Sequence, residues 1–186
     1  MSQADLLIEV ARTLDGAGVG YLLTGSFVSS LQGEPRATHD IDLVIEVDMR
    51  AIDALTGAFG APRYYLDAVA ARTALGESGM FNLLDTSTGD KVDFWALTGS
   101  PFDVSRFARR IAVEVFGATV VVSSPEDTIL QKLKWSAASG GSERHFNDAL
   151  GVYELQVGAL DDGYLDEWSA RLGVANLLAR VRSAAM

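Results

Sequence analysis

Apolar and polar positions along the chain alternate between a helical period and a period of two until about residue 123, and only the helical period continues beyond it. Leu6, Leu7, Val10, Ala11 and Leu14 recur at helical spacing, and Gly16 and Gly18 close that helix. "GYLLTG" is a short buried strand, and "SFVSSLQ" a short helix with Ser26 as its N-cap. "DIDLVIEV" has period two: Ile41, Leu43, Ile45 and Val47 share one face, and Asp40, Asp42, Val44 and Glu46 the other. "MRAIDALTGAFG" is an amphipathic helix, and Asp67 to Leu75 is read as helical too. "MFNLLDTSTGDKVDFWAL" reads as two strands around a polar turn, "FDVSRFARR" as a helix, and "IAVEVFGATVVVSS" as two strands joined at Gly117. In "SSPEDTILQKLKWSAASGG", Ser124 is an N-cap, Pro125 takes the first helical position and Asp127 supplies a capping-box acid. "SERHFNDALGVYELQ", with Ser142 as its cap after a loop at Gly140, and Asp162 to Met186 are helical as well. The pattern therefore predicts an α/β (α+β) core over residues 1–122, a small mixed sheet flanked by helices, with a helical region over 123–186 packed on it. Trp95, Trp135 and Trp168 are expected in the core.

Composition narrows the chemistry. With 186 residues, 48% of them hydrophobic, the chain can build one domain with a proper core and a helical appendage. It has no cysteine and two histidines, His39 and His145, which excludes a thiolate site and argues against structural zinc. A metal would have oxygen ligands, as magnesium does. The formal net charge of −10 opposes tight nonspecific binding to a nucleic-acid backbone. The N-terminal stretch reads as an amphipathic helix and not a signal peptide, and Glu114 interrupts the most apolar run, so a cytoplasmic protein without a membrane partner is expected. No nucleophile elbow, Walker loop or Gly-x-Gly-x-x-Gly occurs.

The acids at the front of a buried strand carry the chemistry. Residues i and i+2 of a strand point the same way, so Asp40 and Asp42 share a face. If "KVDFW" is a neighbouring strand, Asp93 joins them. Two carboxylates at about 4 Å repel by about 4 kcal/mol at an effective dielectric of 20, so converging acids need a cation or a proton. Magnesium is held by one or two carboxylates plus substrate phosphates, and two such ions suit an in-line displacement. Upstream, Gly25 lets a phosphate approach the backbone, and the Ser26 hydroxyl and the helix N-terminus favour an anion. Metal and anion cradle together suit phosphoryl or nucleotidyl transfer. Two residues keep a second reading: Asp93 can pair with Lys91, and Arg36 can bind phosphate or offset Asp40 and Asp42.

Gly25-Ser26, thirteen residues, then Asp40-Ile41-Asp42 resembles the signature of the nucleotidyltransferase superfamily built on the DNA polymerase β fold. Asp93 sits where that superfamily carries its third metal-binding carboxylate. Arg36, Thr38, Asp40 and Asp42 are similar to the Arg-x-Thr-x-Asp-x-Asp of abortive-infection nucleotidyltransferase toxins and their uncharacterised bacterial relatives. One departure is Thr24, where the superfamily often has a further glycine. "SPEDTILQKLKW" and "SERHFNDAL" resemble that group's helical region, which implies Lys132 as a phosphate-binding lysine and Arg144 and Asp148 as further pocket residues. From the pattern alone, Lys132 reads as a surface lysine snorkelling from an amphipathic helix.

The expectation is magnesium-dependent transfer of a nucleoside monophosphate from a nucleoside triphosphate, such as ATP, to an acceptor hydroxyl. Asp40, Asp42 and Asp93 would hold two Mg2+ ions, and Gly25, Ser26, Arg36, Lys132 and Asp148 the nucleotide. The resemblance implies an RNA or tRNA end or a protein as acceptor, and an antitoxin partner. The acidic chain suits a cationic small molecule, as in antibiotic nucleotidyltransferases. A catalytically silent nucleotide-binding module of the same fold stays open.

Overall fold

The computed structural model describes residues 2–74 and 79–185. The described chain divides into two compact units: Met1–Thr24 with Thr38–Val122, and Gly25–Ala37 with Ser123–Met186. The chain passes between them after Thr24, Ala37 and Val122.

The first unit holds the strands β1 (Tyr21–Thr24), β2 (Asp40–Ile45), β3 (Tyr64–Leu66), β4 (Met80–Asp85), β5 (Lys91–Ala96), β6 (Ile111–Val115) and β7 (Ala118–Val122). Among the described residues they form one sheet in the order β3-β4-β5-β2-β1-β7-β6. It is mixed: β2 pairs in parallel with β5, and β1 with β7, while the other neighbours are antiparallel. The period-two pattern sorts its faces. Leu23, Ile41, Leu43, Ile45, Val92, Phe94, Leu83 and Val122 are fully buried on one. Helices α1 (Gln3–Gly16) and α3 (Met49–Ala58) pack on each other, and α1 reaches β7. The stripe Leu6, Leu7, Val10, Ala11 and Leu14 is buried, and Ser2 closes a capping box with Asp5. α4 (Ala68–Thr73) starts at Asp67, whose carboxylate caps it; Leu75, expected at its end, and Met186 lie outside the described residues. On the other face, Leu22 and Val44 pack under Phe107 of α5 (Pro101–Ala108), and the polar residues begin one row further along.

The second unit contains α2 (Gly25–Gln32), α6 (Pro125–Ala138), α7 (Glu143–Gln156), α8 (Asp162–Arg171) and α9 (Ala175–Ala184). α2 packs on α7 and α6. A Cβ on Gly33, just past α2, would stand 2.7 Å from the Val152 peptide nitrogen, so only glycine permits this approach. α6 is the buried centre. Besides Ile129, Leu130 and Leu133, it buries Glu126, Asp127, Thr128, Gln131 and Lys132. The Tyr164 hydroxyl donates to Asp127 at 2.7 Å, and the Asp161 peptide N–H to Glu126 at 3.0 Å, which ties α8 to α6. Ser124, Pro125 and Asp127 cap α6 as read from the sequence. Ser142 stands at the N-cap of α7 but makes no side-chain capping bond.

Among the described residues, no helix is long and apolar enough to cross a membrane.

Candidate active site

In the sheet unit, β2 and β5 are adjacent and parallel, with Asp40 opposite Lys91 and Asp42 opposite Asp93. Registered partners on neighbouring strands point the same way, about 4.8 Å apart. The three acids therefore share one face, in a row that continues through Thr24 on β1 and Asn82 on β4. The strand neighbourhood on which Asp93's place depended is present. Asp40 is exposed, Asp42 half-buried and Asp93 buried.

Lys91 lies among these acids. Its Nζ is 2.8 Å from Asp93 Oδ2 and 3.9 Å from Asp40 Oδ1. The hydrogen bond to Asp93 raises the lysine pKa, partial burial opposes this, and the charges of Asp93, Asp40 and Asp42 add to the rise. The ion pair weighed for Asp93 in the sequence is thus formed. Trp95 follows on the same face and is 43% exposed, which corrects its expected place in the core. Its indole N–H points to Asp42 Oδ1 at 3.4 Å. The alternation in "KVDFW" carried this signal: Val92 and Phe94 face inward, so Lys91, Asp93 and Trp95 face out together.

Among the described residues, no group of three or more His, Cys, Asp or Glu side chains is gathered closely enough to hold a metal ion. The donor set nevertheless suits a hard cation, because every ligand it offers is a carboxylate oxygen. Asp93 adds a second observation: its Oδ1 is buried and has no hydrogen-bond partner among the described residues. Leaving a buried acceptor unpaired costs about 1–3 kcal/mol, more when it is charged. A cation there would remove that cost.

In the helical unit, a second cluster forms around Ser26. The sequence placed this serine at the N-cap. Gly25, at φ +76°, starts α2 directly after β1, so Ser26 lies inside the first turn. The Arg36 guanidinium and the Lys132 ammonium both donate to the Ser26 hydroxyl oxygen, at 2.5 and 3.2 Å. Having accepted twice, the hydroxyl keeps its own hydrogen as a donor. Both cations are held by Asp148: Arg36 by two bonds of 2.8 and 2.9 Å, Lys132 by one of 2.7 Å. The Asp148 carboxyl is desolvated, which pushes its pKa up, but the hydrogen bonds from Arg36 and Lys132 outweigh burial and hold it below the ordinary value. Two cations thus share this one carboxylate. Lys132 is buried, its side chain 1% exposed, which corrects the snorkelling alternative. The Arg36 guanidinium is paired with Asp148. Burial and then the Lys132 charge lower the His145 pKa. Arg144 is exposed on α7, and His39 is exposed as a loop residue.

No protein-family model matches the chain, and no curated protein matches it in sequence. Solved structures do match. An antigenic nucleotidyltransferase-like protein from Paracoccidioides brasiliensis aligns over 98% of this chain and 91% of its own, at 21% identity and a TM-score of 0.63. ANT(2'')-Ia in complex with adenylyl-2''-tobramycin aligns over 92% of this chain and 97% of its own, at 13% identity and a TM-score of 0.59. The solution structure of the same antibiotic-resistance factor aligns over 99% and 98%, at 13% identity and a TM-score of 0.54. At these identities the likeness is one of fold, and it bears out the α/β architecture expected from the sequence: the chain has the nucleotidyltransferase fold.

Proposed function

We propose that the chain is a magnesium-dependent nucleotidyltransferase that moves a nucleoside monophosphate from a nucleoside triphosphate to an acceptor hydroxyl. The observation that carries this reading is the registered pair Asp42–Asp93, with Asp40 on the same face and a buried, unpaired Asp93 oxygen, in a sheet of this fold. Asp40, Asp42 and Asp93 would hold the ion, which when bound offsets phosphate charge and acidifies the acceptor hydroxyl. Asp93 takes the acceptor's proton. The acceptor oxygen attacks the α-phosphorus, the bond to the bridging oxygen breaks, and pyrophosphate leaves with the electron pair. In the helical unit, the Ser26 hydroxyl donates to phosphate, the N-terminal amides at Gly25 favour the anion, and Arg36 and Lys132 supply positive charge. Asp148 holds both cations in place.

For the acceptor we infer a small cationic molecule. The net charge of −10 repels a polyanion, and Asp40 and Trp95 are exposed on the carboxylate face. The complex of ANT(2'')-Ia with adenylyl-2''-tobramycin supports an acceptor of that size. A second reading, transfer to RNA or protein as one half of a toxin–antitoxin pair, rests on Arg36-x-Thr38-x-Asp40-x-Asp42.

The test supplies each nucleoside triphosphate, labelled in its α-phosphate, with magnesium and fractionated cell extract. Label in the small-molecule fraction is expected. Label in RNA or protein favours the second reading, and no transfer from any nucleotide overturns the transferase. Asp42→Asn should keep the circular dichroism of the parent and lose magnesium-dependent nucleotide binding in calorimetry. Unchanged binding would sink the metal site.

A further inference from the structure

Lys91 is a charged residue on the carboxylate face to which the proposed reaction gives no part. Asp40 stands opposite Lys91 and Asp42 opposite Asp93, and residues two apart on a strand share a face. The four side chains, three carboxylates and one ammonium, thus project from the corners of a rectangle, about 4.8 Å across the strands and about 6.6 Å along them. The Lys91 side chain is 36% exposed and that of Asp93 10%. The lysine reaches in from solvent to one oxygen of a buried carboxylate, at 2.8 Å, while the other oxygen stays unpaired. A pair serving the fold alone gains most when both oxygens are satisfied. Here half of the buried acid is left for another ligand.

We propose that Lys91 is a built-in competitor for the divalent cation. It holds Asp93 Oδ2 in the metal-free protein and gives that oxygen up when the cation enters. This rests on the metal-site reading above. Three carboxylates and one ammonium sum to two negative charges, which a single divalent ion neutralises. A second ion then needs negative charge from elsewhere, and nucleotide phosphates bring it. Lys91 therefore weakens cation binding by the protein alone and ties full metal loading to the nucleotide.

The probe is Mn2+ alone, titrated into the full chain without nucleotide and followed by the electron paramagnetic resonance signal of the free ion. Lys91→Met removes the charge. Lys91→Gln also removes it but keeps a donor for Asp93, and serves if the methionine variant folds poorly. Either should bind Mn2+ about tenfold more tightly than the parent, and Lys91→Arg should stay close to it. A lysine that only braced the strands would give weaker Mn2+ binding and a lower melting temperature in both uncharged variants. Equal or weaker binding in both, with Asp42→Asn abolishing uptake, overturns the role of Lys91 and leaves the metal site standing. No uptake by the parent or either uncharged variant overturns both.

Discussion

Asp148 carries more than one residue's share of the helical unit. It is the carboxylate partner of both Arg36 and Lys132, and the Lys132 ammonium is buried. Asp148→Asn removes a charged partner of that buried ammonium, and breaking a buried pair costs about 3–5 kcal/mol. Urea denaturation checks this; a loss under about 1 kcal/mol would mean that water reaches Lys132. The sign with pH follows from the depressed carboxyl. Its stabilisation is complete above the unfolded value of about 3.9 and is lost as pH falls through the lower folded one. None of this partnership was legible in the hydrophobic pattern, because Ser26, Arg36, Lys132 and Asp148 come from separate stretches of chain. Only the resemblance singled out Lys132 and Asp148. The acids on the sheet were legible, since period two places Asp40 with Asp42. The same rule applied to "KVDFW" exposes Trp95, but a preference for aromatic cores hid it.

At the level of elements, most periodic segments read correctly; the segment read as helical from Asp162 breaks at residues 172–174 into α8 and α9, and β3 was missed. Tyr64–Leu66 is too short to show a period, and pairing with Leu83–Asp85 of β4 makes it a strand. Asp85 anchors this corner. Its carboxyl accepts from the Ser87 hydroxyl and peptide N–H, and from Arg63. The Ser87 hydroxyl is the largest influence; with its peptide N–H and Arg63 it outweighs desolvation and brings the pKa down to about 2. A depressed carboxyl stabilises the fold above its unfolded pKa and loses that effect between about pH 4 and pH 2. Asp85→Asn should lower the melting temperature at pH 7, and the gap to the parent should close towards pH 2. A gap that stays constant over that range would show that the loss is one of shape, not charge.

For the whole molecule, the switch to an all-helical pattern near Ser123 was visible from the caps of α6. That Gly25–Ala37 groups with the helices was not, because its partners in α6 and α7 lie far along the chain. A fragment of residues 1–122 removes those partners from α2, Gly33 and Arg36. Trypsin should therefore cut the fragment after Arg36 before it cuts the sheet, while the intact chain resists there. Resistance of the fragment at Arg36 would show that the sheet unit alone can hold that segment.

The register of β2 on β5 also acts as a proofreading device. A slip of one residue would turn Val92 and Phe94 outward beside Asp40 and Asp42, and drive Lys91, Asp93 and Trp95 into the apolar layer. A mispaired sheet would thus lose its core and its row of acids in one stroke. The pairing that gives the sheet a sound core therefore also settles which side its row of acids faces.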